Sequence, residues 1–182
     1  GPAVYCIGHA NEEVNDAIKQ QLDRIAHGYR YNFTSDPLEE LTELIKRRCG
    51  GSLNHMVFVT GGSEAVESCL KLALQFHSAK GQTSRRLFIS RERSWHGNTL
   101  GALSVSGFLE RRKPFEGALL QGSRISPVNQ YRPVRGATPE TLSEFCANEL
   151  EAEILRLGPE NVAAFIFEPV VGAAGGCVPA PP

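Results

Sequence analysis

The chain has 182 residues, 41% of them hydrophobic and 21% charged, with a formal net charge of -1. This is the composition of an ordinary globular protein, long enough for one large domain or for part of a bigger one. The charge balance gives no electrostatic reason to expect nucleic acid or an anionic membrane as partner, no apolar run approaches the ~20 residues that span a bilayer, and no signal-peptide pattern opens the chain.

Val4-Tyr5-Cys6-Ile7-Gly8-His9 reads as a short extended segment that ends in a turn. Asn11 can cap a helix from about Glu12 to Ala26, because Val14, Ala17, Ile18, Leu22 and Ile25 recur at helical spacing, and Gly28 ends it. The next segment, Tyr29-Arg30-Tyr31-Asn32-Phe33-Thr34, carries too many aromatics for an inert linker. They either pack locally or line a pocket or subunit interface. Ser35 or Asp36 with Pro37 then opens a second helix, with Leu38, Leu41, Leu44 and Ile45 facing inward.

The rest of the chain is organised around the stretch from Met56 to Lys71. A run rich in β-branched and aromatic residues stops at Thr60-Gly61-Gly62-Ser63, and a helical pattern with Ala65, Val66, Cys69, Leu70 and Ala73 on one face begins at once. Strand, glycine turn and helix in that order aim unpaired N–H groups and the positive end of the helix dipole at one point, where an anion such as phosphate fits. Gly61 and Gly62 let the backbone approach a ligand, and the Ser63 hydroxyl can cap the helix or bond the same anion. A plain capped helix after a buried strand explains these residues equally well, since the spacing matches neither a dinucleotide fingerprint nor a P-loop.

That helix runs to about Ala79, and Arg86-Leu87-Phe88-Ile89-Ser90 is the next strand, which makes a βαβ unit with parallel strands. Ligands of such sheets collect at the strand carboxyl ends, so the segment Arg93 to Ser104 should lie beside the glycine turn. Within it the single tryptophan, Trp95, precedes His96 and Gly97. The indole either stacks on a planar cofactor ring, with His96 near its reacting side and Gly97 leaving room, or fills a gap between strand and helix.

Phe108 to Arg135 reads as a long surface connection, with Arg111, Arg112 and Lys113 as a solvated basic face. Thr138 and Pro139 open a helix carrying Leu142, Phe145, Leu150, Ile154 and Leu157, which Gly158-Pro159 ends. Val162 to Phe167 is a continuous apolar run, the mark of a central strand buried on both faces. It ends at Glu168, whose carboxylate is costly to bury unpaired and should face a partner or a ligand. Pro169 and the following glycines turn the chain away.

Cys6, Cys49, Cys69, Cys146 and Cys177 are odd in number and scattered, which suggests reduced thiols in an intracellular protein, with Cys69 and Cys146 as small core residues. The five histidines show no ligand spacing with each other or with the cysteines, so no metal site is expected. Both ends read as cut, at Gly1-Pro2-Ala3-Val4 and at Ala180-Pro181-Pro182.

Six motifs taken together resemble the class III aminotransferases, pyridoxal phosphate enzymes of fold type I that include ω-amino acid transaminases. They are Cys6-Ile7-Gly8-His9, Phe33-Thr34-Ser35-Asp36-Pro37, Thr60 to Glu67, Trp95 to Ala102, Arg111-Arg112-Lys113-Pro114-Phe115 and Glu168-Pro169-Val170-Val171-Gly172. The resemblance implies an α/β large domain, a mostly parallel sheet with helices on both faces, incomplete here and joined to part of an amino-terminal small-domain region. Residues 1–35 would form the amino-terminal segment and connection, and residues 36–182 the first part of the cofactor domain.

It further implies pyridoxal 5'-phosphate as cofactor. Gly61, Gly62 and Ser63 would meet its phosphate, Trp95 would stack on its ring, and His96 and Gly97 would lie beside it. Glu168 would order the carboxylate partner of the pyridine nitrogen, and Tyr31 and Phe33 would reach the substrate pocket, often that of the dimer mate. The partners implied are a small amino donor, a keto acid and a second subunit sharing the active sites, in the cytoplasm or a mitochondrion. Ala173 stands where some relatives carry a gating glutamate, which points toward ω-transaminase-like specificity. The pyridine-pairing aspartate and the Schiff-base lysine are expected beyond Pro182, because neither Lys71 nor Lys80 matches the catalytic lysine. Alternatives are another fold type I activity (aminomutase, racemase or decarboxylase), a nucleotide-binding α/β module, or a protein acting only by association.

Overall fold

The computed structural model describes residues 4–50 and 52–181, so Gly1–Ala3 and Pro182, where the sequence reads as cut, lie outside the described residues. The chain divides into two compact units, Gly1–Phe58 and Val59–Pro182. The helix that opens at Asp36, which a boundary after residue 35 assigns to the second domain, falls within the first unit.

The first unit contains helices α1 (Glu12–Arg24) and α2 (Asp36–Arg48). Asn11 caps α1 by accepting the Val14 N–H at 3.0 Å, as its side chain predicts. α1 stops at Arg24, short of the expected Ala26. Both helices place acidic residues in the first turn and basic ones in the last, matching the helix dipole. Neither buries a residue: Val14, Ile18, Leu22, Leu38, Leu41 and Leu44 are all exposed, so the expectation that the leucines of α2 face inward is not met. The helical pattern shaped the helices, but the described residues of this unit supply no core against which to bury those stripes.

Residues 56–58 close the first unit and Val59 opens the second; the stretch has strand composition but pairs with no strand among the described residues, and Val57, Phe58 and Val59 are exposed. The expected strand before the glycine turn is therefore an unpaired extended segment, because a strand exists by the neighbour that takes its N–H and C=O groups. Helix α3 (Gly62–Ala79) follows, and then β1 (Leu87–Arg91), α4 (Leu100–Ser104), α5 (Leu109–Arg112) and a 3-10 turn (Lys113–Ala118). β2 (Ser123–Ile125), α6 (Leu142–Leu157), β3 (Val162–Phe165) and a short antiparallel pair, β4 (Val170–Val171) with β5 (Val178–Pro179), complete the unit.

The three longer strands form a parallel sheet in the order β2-β1-β3, with Ile89 opposite Ser123 and Phe88 opposite Ala164. Successive residues of β1 point to opposite faces. Phe88 packs with Leu70 of α3 and Val105 on one side, and Ile89 packs with Ile125 and Val162 under Leu150, Ile154 and Leu157 of α6 on the other. Burying each such side chain contributes about 1.5–3 kcal/mol. Helices thus cover both faces, as expected; among the described residues β1 is the middle strand and β3 has one neighbour, and residues 163–166 are half-buried.

Three further differences bear on the site. The supposed surface connection from Phe108 to Arg135 contains β2, which docks on the central strand. α6 begins at Leu142, because Thr138 and Thr141 first form a turn in which the Thr138 N–H donates to the Thr141 hydroxyl at 2.9 Å. Cys146 is buried as expected, whereas Cys69 is exposed on the outer side of α3.

Candidate active site

Past the carboxyl end of β1 the chain leaves the sheet and returns on itself. The Arg93 N–H donates to the Gly107 carbonyl at 2.9 Å and the Gly107 N–H to the Ser94 carbonyl at 3.0 Å, closing the neck of a loop that contains α4. Buried serines hold the loop from within. The Ser94 hydroxyl donates to the Arg91 carbonyl at 2.6 Å, and the Ser106 hydroxyl accepts the His96 N–H and donates to the Ala102 carbonyl, both at 2.9 Å. Arg112, only 4% exposed, donates through Nη1 to the carbonyls of Leu103, Ser104 and Ser106 at 2.5, 2.7 and 2.9 Å. The basic run is therefore not a plain solvated face, because its middle residue is the buried clamp on the end of α4.

This loop lies against the start of α3. The Asn98 N–H donates to the Ser63 hydroxyl at 2.9 Å, and a Cβ at Gly97 would come within 2.7 Å of that oxygen and 2.8 Å of the Ala102 Cβ. Gly97 also has φ +146, a conformation that side chains rarely adopt. One helical turn after Ser63, Glu67 accepts from the Thr99 hydroxyl at 2.6 Å and from the Ala102 N–H at 3.1 Å. Ser63 therefore clamps the loop and does not cap its own helix. Glu64 accepts the Thr60 N–H at 2.9 Å, ahead of the helix, so no side chain caps the first N–H groups of α3.

The segment after β3 joins through Glu168. Its Oε2 accepts the Trp95 N–H at 2.8 Å and its Oε1 the Gly172 N–H at 3.2 Å, so the partner expected for this carboxylate is a pair of backbone amides. The structure thus brings together Gly61, Gly62, Ser63, Trp95, His96, Gly97 and Glu168. Tyr31 and Phe33 belong to the first unit, where both are exposed and the Tyr31 ring lies 5.2 Å from Tyr29. Lys80 sits at the far end of α3 with its ammonium 4.4 Å from the Phe76 ring, well removed from Gly62.

Two features suit this edge to a ligand. A Cβ at Gly61 or Gly62 would meet nothing within 4 Å, and no side chain caps the first N–H groups of α3. The His96 Nε2 is buried without a hydrogen-bond partner. Burial holds the His96 imidazole below its ordinary value near 6.5, and the Glu168 carboxylate opposes that shift. A group whose folded value is depressed stabilises the fold above its unfolded value and loses that contribution as pH falls. Melting temperature should therefore drop as pH falls below about 7, and His96→Gln should flatten that part of the profile.

Sequence reasoning missed Glu67, Arg111, Arg112 and the buried serines. Glu67 looks like a solvated helix residue, and only its spacing from Ser63, which puts both on one helix face, could have singled it out.

Comparison with known proteins decides the family. Residues 1–182 match the family described as Aminotransferase class-III. The chain belongs to it. The uncharacterized aminotransferase YodT of Bacillus subtilis (strain 168) is 42% identical over 181 residues, 99% of this chain and 40% of that protein. An amine transaminase from an uncultivated Pseudomonas species, solved with pyridoxal phosphate bound, superposes with a TM-score of 0.87 at 33% identity, covering 95% of this chain and 40% of the other. A thermostable (S)-enantioselective ω-transaminase from Thermomicrobium roseum gives a TM-score of 0.87 at 35% identity, over 95% of this chain and 39% of the other. The parallel sheet between helices is accordingly part of the fold type I architecture of class III aminotransferases, and the chain spans about 40% of the length of these relatives.

Proposed function

We propose that this class III chain is the phosphate- and ring-holding part of a pyridoxal 5'-phosphate-dependent aminotransferase. The observation that carries the reading is the contact of Gly97 and Asn98 with Ser63, which sets Trp95 and His96 beside a helix start where Gly61 and Gly62 leave space. When bound, the cofactor supplies an electron sink through which an amino group passes from a donor to a keto acid.

The chain's own residues bind and orient. The Gly62 and Ser63 amides, reinforced by the dipole of the 18-residue α3, would receive the phosphate dianion. Ser63 keeps its hydroxyl hydrogen for the same anion, because its oxygen is the acceptor for Asn98. The Trp95 indole would cover the ring, and the unpaired His96 Nε2 offers a polar atom beside it. Glu168 holds the Trp95 backbone and so sets the height of the indole. The lysine that completes the reaction is not among these residues; by family resemblance it follows Pro182. By the same resemblance the working unit is a cytoplasmic or mitochondrial homodimer with Tyr31 and Phe33 in the substrate pocket.

Binding can be tested without that lysine by using pyridoxamine 5'-phosphate, which keeps the phosphate and ring but has no aldehyde. The protein should bind it with quenching of the Trp95 emission. Gly62→Leu, which adds a bulky side chain at the helix start where a Cβ meets nothing within 4 Å, should weaken binding by about tenfold or more while the helix remains as stable, since leucine is the better helix former. Trp95→Ala should weaken it by a smaller factor, about three- to tenfold. Binding indifferent to both changes would refute the site. Membership of the family favours this cofactor over a nucleotide. Turnover of an amino donor with recovery of the aminated product would separate transamination from racemase, mutase or decarboxylase chemistry.

A further inference from the structure

Trp95 is not free to turn. The Arg111 guanidinium lies 4.5 Å from the centre of its ring and 5.0 Å from that of Phe108, and Phe108 meets the indole edge-on at 6.3 Å with an interplanar angle of 87°. We propose that Arg111 is a positioning residue for the cofactor site: by occupying one face of the Trp95 indole, it fixes the ring and leaves the opposite face to a planar ligand. The proposal rests on the reading that Trp95 stacks the cofactor ring.

The position of Arg111 follows from its neighbour. Arg112 is drawn inward by three carbonyls at the end of α4, and this fixes the rotation of the four-residue α5. Consecutive helical residues point about 100° apart, so anchoring Arg112 in the core directs Arg111 along the surface toward the loop that carries Trp95. The backbone side of Trp95 is pinned by Glu168 and the loop neck by Ser94 and Gly107. What remains is rotation of the indole about its own side-chain bonds, and the guanidinium and the Phe108 edge restrain it. A planar, delocalised cation covers an aromatic face better than a compact ammonium, so arginine and lysine are not equivalent here. A second flat group on the same face would displace the guanidinium, and only the other face can accept a ring while the stack persists.

The emission of Trp95, taken as the difference between the protein and its Trp95→Phe variant, makes the stack readable without cofactor. In cofactor-free protein, Arg111→Ala should shift the emission to the red and increase its quenching by acrylamide. The same variant should bind pyridoxamine 5'-phosphate about two- to fivefold more weakly, the range expected for one half-exposed cation–π contact. Arg111→Lys should recover part of both effects. A purely structural role would lower the melting temperature without moving the emission. Wild-type affinity in Arg111→Ala, or weakened affinity with the emission unmoved, would overturn the proposal. If the unsubstituted protein fails to bind the probe, the cofactor reading itself is refuted, and the emission of Arg111→Ala still shows whether the guanidinium holds the indole.

Discussion

Gly97→Val should destabilise the protein by about 3 kcal/mol or more and remove cofactor binding with it. Two independent penalties act at this position. The backbone there has φ +146, which costs a β-branched residue about 1–3 kcal/mol. The Cβ would also stand 2.7 Å from the Ser63 oxygen and 3.0 Å from the Ser63 Cα, and the latter is backbone that can yield only if the start of α3 moves. Relief therefore means separating the Trp95 loop from the glycine turn. Urea denaturation with a parallel binding titration reads both effects. Gly62→Ala is the control, because its Cβ meets open space and should leave stability unchanged or slightly raised. Equal stability of Gly97→Val and wild type would mean that the two loops are not in contact.

The second large effect is expected at Arg112. Arg112→Met keeps the length and much of the apolar volume but leaves the carbonyls of Leu103, Ser104 and Ser106 without their shared donor. The Leu103 carbonyl keeps the Ser106 N–H at 3.1 Å, but those of Ser104 and Ser106 lose this donor, and each buried acceptor left unpaired costs about 1–3 kcal/mol, so a loss of about 3 kcal/mol is expected. Burial and nearby Arg124 lower the proton affinity of this guanidinium, while Glu116 opposes them. Arg112→Lys retains the charge but not the fork and should recover only part of the loss. Thermal melts of the three proteins give the ranking, and a melt of Arg112→Met that matches wild type would show that these carbonyls find other donors.

The basic triplet shows how far a sequence can be read. Arg111, Arg112 and Lys113 look alike in a string, yet one stacks on an aromatic ring, one is buried under three carbonyls and one is exposed. Their difference arises from rotation around α5, a helix of four residues that is too short to show a period. β2 was hidden for the same reason: Ser123-Arg124-Ile125 is too brief for alternation, and only its pairing with β1 makes it a strand. Residues 56–59 fail in the opposite direction, since they have strand composition and no strand to pair with among the described residues. By contrast α1, α3, β1 and α6 were legible because their patterns run long enough to repeat.

The candidate site was legible where chemistry sits at strand ends. Glycines before a helix, a tryptophan and histidine after a strand, and a glutamate after an apolar run all look out of place in a plain core, and the fold gathers them. Glu67 was not legible, because its partners Thr99 and Ala102 lie more than thirty residues further along the chain. Such clamps are set by tertiary contact, which no local pattern encodes.

The central claim is that the start of α3 and the Trp95 loop form one binding edge. Titration of the isotopically labelled protein with pyridoxamine 5'-phosphate, followed by amide nuclear magnetic resonance, tests it most directly. The largest shifts should fall on the Gly62 and Ser63 amides and on the Trp95 indole N–H, saturating together with one affinity. Shifts that bypass Gly62 and Ser63, or an indole that responds with a different affinity, would contradict the account.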